Sequence, residues 1–298
     1  MEAIFLALLT TNKQSILCDK IMQKYDALIE IFNKQDSIAI ADFIELMGDF
    51  DSEIEIIKSL GIAFDIKDDS IIPKINDDIF ETTFCIVDIE TTGFSPKDNE
   101  IIEIGAIKYR NGDILERFER QIFTPFIPHI ITELTGITEE MLENAPPISQ
   151  VLQDFKAFLQ DCIFMAHNLR FDFNFINSKL EMCGIPMMKN TSLCTLELAK
   201  KTIIAEKYGL GYLNEFLEIN STQRHRAIAD CIIALKVFET SLLNLPSEIT
   251  TIRDLLAFIG KANTTKTKKK RKTFSRLYEA LQESKATPPD SPAIANVD

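Results

Sequence analysis

The stretch Val87-Asp88-Ile89-Glu90-Thr91-Thr92-Gly93 places two acids one residue apart at the end of an apolar run, Phe84-Cys85-Ile86-Val87. That run has the length and content of a buried strand. Strand side chains alternate faces, so Asp88 and Glu90 project to the same side, about 7 Å apart along the chain. Two carboxylates facing one spot in apolar surroundings repel each other and are costly to desolvate. A divalent cation answers both problems, since hard oxygen ligands suit Mg²⁺ or Mn²⁺. Taken alone, the pair reads more readily as a sheet edge facing water. Residues elsewhere decide between the two.

Working outward, a polar loop over residues 93–100 leads to a second apolar run at 101–109. Asn111-Gly112 is a strong two-residue hairpin signal, and a third strand returns over 114–123. The acidic strand therefore opens an antiparallel meander of three strands. Helical periodicity follows, short at 132–134 and 138–142 and longer at 148–160. A buried strand at 162–166 precedes a helix over 171–183, closed by Gly184 and Pro186. Leu193-Cys194-Thr195 begins another strand-to-helix passage, with helices at 213–217 and 226–243. A hairpin start followed by helix–strand–helix units predicts an α/β unit with a mixed sheet and helices on both faces.

The two ends differ from this unit. Net charge is −13, divided as −9 over residues 1–79, −8 over 80–246 and +4 over 247–298. Residues 1–79 read as a separate acidic module: helix 15–33, a short extended stretch 37–40, helices 42–47 and 52–60, then a hairpin over 62–72. Helices followed by a hairpin predict a small winged-helix-like module. The helix before the wing carries Asp51, Glu53 and Glu55, which would repel phosphate, so protein contact is the expected role. Residues 75–81 read as a linker. Beyond Pro246 the chain is expected to be a flexible basic tail, with one apolar helix at 252–259, a disordered Lys/Thr-rich stretch at 261–272 and a short amphipathic helix at 274–281. No apolar run approaches the ~18 residues needed to span a bilayer, and the six cysteines form no C-x-x-C pair. These features predict a cytoplasmic protein with reduced thiols and exclude a membrane protein.

Two further acidic sites complete the opening stretch. In Ala166-His167-Asn168-Leu169-Arg170-Phe171-Asp172 the acid begins a helix after a buried strand, where carboxylates are ordinary caps. In His225-Arg226-Ala227-Ile228-Ala229-Asp230 the acid falls inside an apolar helix, where aspartate is a poor residue without compensation. Four acids and a histidine at element ends of an α/β unit suit a two-metal phosphodiester site.

With the Asp88–Gly93 stretch, these two segments resemble the three exonuclease motifs of the DnaQ-like, DEDDh 3′–5′ exonucleases. Within that family the chain is most similar to the proofreading epsilon subunit of bacterial DNA polymerase III and to the exonuclease inserted in PolC-type polymerases. Ile101-Ile102-Glu103-Ile104-Gly105-Ala106 and Leu134-Thr135-Gly136-Ile137-Thr138 share the likeness, which covers roughly residues 84–243. The resemblance implies a ribonuclease H-like fold, a five-stranded mixed sheet with flanking helices. It implies two Mg²⁺ or Mn²⁺ ions, with Asp88 between them, Glu90 and Asp230 on the ion of the nucleophilic water, and Asp172 supporting the second. His225 would be the general base, since an imidazole of ordinary pKa, ~6.5, is neutral at about pH 7–8.

Thr91, Thr92 and Gly93 are family-like positions beside the terminal nucleotide, although the threonines serve turn closure nearly as well. Phe94 either stacks on a terminal base or anchors its loop, the anchor being favoured. His167 and Asn168 adjoin the nucleotide, with His167 reading as hydrogen-bonded scaffold; His129 reads as a loop residue. The function so implied is removal of nucleotides from single-stranded DNA 3′ ends, in partnership with a polymerase catalytic subunit reached through residues 247–298. The same chemistry on RNA and a non-catalytic binding module are the alternatives.

Overall fold

The computed structural model describes residues 12–221 and 225–260. The Lys/Thr-rich stretch at 261–272 and the expected helix at 274–281 lie outside the described residues. The described residues begin with α1 (Asn12–Lys34), β1 (Ile38–Ala39), α2 (Ile40–Met47), α3 (Phe50–Ser59), β2 (Phe64–Lys67) and β3 (Ser70–Pro73). The three strands form an antiparallel sheet in the order β1-β3-β2, with β2 and β3 the expected hairpin after the helices. Asp49 starts α3 by accepting from the Ser52 amide at 3.1 Å. Asp68 and Asp69 both adopt left-handed backbone, the twist that a two-residue hairpin requires. Tyr25, Leu28, Phe43, Ile57 and Ile71 close a separate small core.

The second sheet holds β4 (Phe84–Thr91), β5 (Ile101–Arg110), β6 (Asp113–Gln121), β7 (Ile163–Ala166) and β8 (Ser192–Cys194). Their order is β6-β5-β4-β7-β8, the first three antiparallel and β7 and β8 parallel to β4. This is the predicted five-stranded mixed sheet, and the Asn111-Gly112 turn is left-handed at both residues. The helices that follow are α4 (His129–Thr135), α5 (Glu139–Leu142), α6 (Ile148–Leu159), α7 (Leu169–Met182), α8 (Thr195–Thr202), α9 (Leu210–Phe216), α10 (Ala227–Leu243) and α11 (Ile252–Gly260). Period-two alternation in β4 sends Cys85, Val87 and Ile89 to the α6–α7 face, against Leu152, Phe155 and Phe175. Phe84 and Ile86 face the other way, against Phe238 and Leu242 of α10. His129 is not a loop residue: it opens α4 and lies 3.5 Å from Glu133, one helical turn on.

Residues 75–81 are packed rather than a free linker. Ile75 and Ile79 are buried, and Ile79 N–H donates to Thr250 O at 3.0 Å while Ile252 N–H donates to Asp77 O at 3.1 Å. Pro73, Asn76 and the aspartates looked like loop composition, but two isoleucines at a spacing of four carry the segment into the sheet's core. The helix expected at 252–259 forms as α11, with Ile252 and Leu255 buried. From α11, Arg253 reaches the end of α1: it donates to Phe32 O at 3.1 Å, Gln35 O at 2.9 Å and Asn33 O, and also to Asn76 Oδ1 at 2.8 Å. Lys189 N–H donates to Leu60 O at 2.7 Å, the Lys189 ammonium pairs with Asp26, and Lys74 pairs with Asp161 at 3.2 Å. Asp161 and Lys189 stand just before β7 and β8, so the module is attached at the ends of those strands where they begin. Among the described residues no helix is long and apolar enough to cross a membrane.

Candidate active site

The opposite strand ends carry the acids. In β4 the alternation that buries Phe84 and Ile86 against α10 puts Asp88 and Glu90 on that same side. Asp88 lies opposite Gly105 of β5, and Glu90 opposite Glu103. A bulge between Glu90 and Thr91 then ends the regular pairing, as bulges beside sites commonly do.

Gly105 determines how close α10 comes. A Cβ at this position would lie 2.5 Å from Ala227 C and from Ile228 N, which are backbone atoms with nowhere to go. Glycine therefore lets the first turn of α10 rest directly on the β4–β5 pair, over Asp88. Gly105→Ala is expected to push α10 outward, at an overpacking cost of about 1–3 kcal/mol. A lowered melting temperature together with a slower single-turnover rate is the expected readout; wild-type values for both would sink this account.

Asp230 sits in that first turn, not in the helix interior that the apolar pattern suggested. Amide dipoles at a helix start favour a carboxylate there, so its compensation is partly local. His225, two residues before α10, has a left-handed backbone with φ 60°. Glu90, His225 and Asp230 each present one ligand atom, all within 4.8 Å of one another. Asp172 comes from the first turn of α7 and is 3% exposed. Asn168, at φ 76°, makes the sharp passage from β7 into that helix.

Electrostatics shows these acids acting on one another. Burial first, then Asp172, Asp230, Glu90 and Glu103, drive Asp88 well above the carboxylate range. Burial, then Asp230, Glu103 and Asp172, raise Glu90 to about 8, with Arg226 opposing. Burial raises Asp172 to about 8, against the lowering effect of its own amide and that of Ile89. Acids in this position cannot all ionise without positive charge brought among them.

The surrounding residues divide. Thr91 Oγ1 donates to Gly93 O at 2.8 Å, and Thr92 Oγ1 accepts from Glu100 N–H at 2.8 Å, so both threonines close the turn. A Cβ on Gly93 would meet the Asn99 side chain, with Oδ1 at 2.4 Å, so a larger residue there would displace it. Glu100 in turn pairs at 2.9 Å with Lys179 of α7, which is almost fully buried. Phe94 anchors nothing: it is 92% exposed on this braced loop. His167, which the resemblance sets beside the nucleotide, has both ring nitrogens engaged inside the protein. Nδ1 is 2.8 Å from Thr195 Oγ1 and Nε2 2.7 Å from Tyr208 O, and burial pushes its pKa down to about 4. It is scaffold, holding the β7–α7 turn to α8.

Sequence reading missed Glu103 and Gly105 as site residues. The signal was present in Ile101-Ile102-Glu103-Ile104, an acid alone in a fully apolar strand, which demands a buried partner. Cavities of about 460 and 630 Å³ run between the N-terminal module and the second sheet's unit, and none of the site acids lines either.

A family model described as Exonuclease matches residues 85–238. The chain is similar to the DNA polymerase III PolC-type of Halalkalibacterium halodurans, 38% identical over 176 residues, which are 57% of this chain and 12% of that protein. It is also similar to the DNA polymerase III PolC-type of Staphylococcus aureus, 41% identical over 162 residues, 53% of this chain and 11% of that protein. The chain thus matches only about a tenth of the length of these curated relatives. Among solved structures, Escherichia coli exonuclease I in complex with a dA16 oligonucleotide aligns with a TM-score of 0.52 at 16% identity, over 59% of this chain and 43% of that one. At that identity the likeness is one of fold.

Proposed function

We propose that this chain, which belongs to the exonuclease family, removes nucleotides from the 3′ ends of DNA by cation-assisted hydrolysis, as the proofreading part of a replicative polymerase. The observation that carries the reading is the convergence of Asp88, Glu90, Asp172 and Asp230 with His225 at one end of the sheet. The polymerase context is supported by the PolC-type relatives, in which the matched segment is a small part of a longer chain. Attachment through residues 247–298 belongs to the same proposal, although only 247–260 of that segment are described.

The donor set fits hard divalent cations. All four acids offer oxygen, burial raises three of them, and a His225 ring nitrogen lies within 4.8 Å of ligand atoms of Glu90 and Asp230. Asp88, Glu90, Asp172 and Asp230 would hold two Mg²⁺ or Mn²⁺ ions. Cations bound there supply charge to the phosphoryl oxygens and to the departing 3′ oxygen. His225 accepts the proton of the attacking water, and its place beside Glu90 and Asp230 brings it to the side where that water is held. Phe94, exposed on a loop tied down by Thr92, Glu100 and Lys179, offers a flat face for a terminal base.

His225→Ala is expected to lower the rate by about 10²- to 10⁴-fold while cation affinity stays at the wild-type value. Calorimetric Mn²⁺ titration beside nucleotide release from a labelled oligonucleotide checks both arms. Because His225 also lies within ligand distance of Glu90 and Asp230, a second reading makes it a ligand. Loss of cation affinity together with rate would select that reading. Faster release from RNA than from a matched DNA strand would move the substrate to RNA.

A further inference from the structure

Glu103 is completely buried in β5, close enough to the site acids to act on both Asp88 and Glu90. Its carboxylate is spent on α10. Arg226 grips it with Nε 3.1 Å from both oxygens and Nη2 2.7 Å from Oε1, and the Ala227 amide donates to Oε2 at 2.9 Å. Arg226 has a second, longer contact, 3.6 Å to Glu119 of β6. The N-cap residue Arg226 makes no side-chain cap bond to α10, and Glu103 supplies one to the Ala227 amide from 124 residues away. Two consecutive residues, one by its guanidinium and one by its amide, are thus fixed to one rigid carboxylate.

The residue before them is His225, held in a left-handed backbone that non-glycine residues keep only when their surroundings enforce it. Across the strands Glu103 is paired in register with Glu90. The carboxylate that fixes the start of α10 is therefore built into the same pair of strands as the proposed cation ligands. We infer that Glu103, acting through Arg226 and the Ala227 amide, is a positioning residue that holds His225 at a set distance from Glu90 and Asp230. This rests on the hydrolysis proposed above, in which His225 takes the proton. A planar guanidinium suits the task because it engages both carboxylate oxygens at once, which an ammonium cannot do in that geometry.

Two variants of the full chain test it, Arg226→Lys, which keeps the charge and alters a half-exposed side chain, and Glu103→Gln. Amide hydrogen exchange is read over residues 225–230, and kcat and KM are read on a single-stranded oligonucleotide well below each variant's melting temperature. Exchange over 225–230 is expected to rise about tenfold while that of β4 stays unchanged. Over the same variants kcat is expected to fall about 10- to 100-fold with KM unaltered. Unchanged exchange overturns the clamp, whether or not the chain hydrolyses DNA. Raised exchange with wild-type kcat, or a kcat loss that disappears once the folded fraction is accounted for, overturns the positioning role. A wild-type chain that releases no nucleotide sinks the hydrolytic reading separately, because the exchange measurement still decides the clamp.

Discussion

Replacing Asp88 with asparagine is expected to abolish nucleotide release and, in the absence of metal, to raise the melting temperature. Asp88 feels Asp172, Asp230, Glu90 and Glu103 together, in addition to its own burial. Asparagine keeps the shape and cannot ionise, so the folded chain no longer has to keep protonated an acid that the unfolded chain ionises. The same change removes the acid that all the others face, and with it the cation affinity on which charge stabilisation depends. A loss of several kcal/mol at the transition state corresponds to at least about 10³-fold in rate. The stability gain in chelator should amount to a few degrees. Turnover measured on a labelled oligonucleotide, beside thermal unfolding in chelator, tests both signs. A variant within about tenfold of wild-type rate, or one that melts lower without metal, would falsify the assignment of Asp88 to the centre of the site.

The second large effect is the pH dependence of the metal-free fold. Glu90 and Asp172 are raised to about 8 in the folded chain, whereas unfolded carboxyls titrate near ~4. The folded state therefore binds more protons than the unfolded state between these values, and stability must fall as pH rises through that window. The contribution is complete below about pH 4 and lost by about pH 8, on the order of several kcal/mol. Divalent cation reverses the trend, since it replaces those protons with bound charge, so its stabilisation should grow from about pH 5 to about pH 8 and release protons on binding. Melting curves in chelator across this range, repeated with Mg²⁺ or Mn²⁺, give the comparison. A flat profile without metal would mean that the acids do not strain the apo fold.

How much of this could be read beforehand depended on the range of the interaction. Asp88 and Glu90 share a side because strand alternation is local, and the meander follows from the polar loop 93–100 together with Asn111-Gly112. Asp230 was harder. An apolar run conveys the helix but not where its first turn begins, so the acid looked internal when it stands at the start. Phe94 follows a related rule: apolarity in a loop reads as an anchor unless the neighbouring surface is known. Glu103 and Arg226 lie 123 positions apart, and no periodicity connects them. Residues 75–81 looked like a linker by composition, yet Ile75 and Ile79 commit them to the core. Local pattern conveys the acidic strand, and only tertiary contact brings Glu103 to Arg226.

Arg253 has a consequence for how the chain comes apart. From α11 it holds the carbonyls that end α1, while the segment before α11 is bonded to residues 77–79. The first and the last described helices therefore meet, and the sheet with its acids lies between them in sequence. A contact of that kind closes the fold into a loop. Either flank, once peeled away, removes partners from the other, so the acidic module, the catalytic unit and α11 should unfold as one cooperative body and not as beads in series. Any cut intended to isolate the nuclease, at residue 80 or at residue 246, would then sever a tie in a single structure.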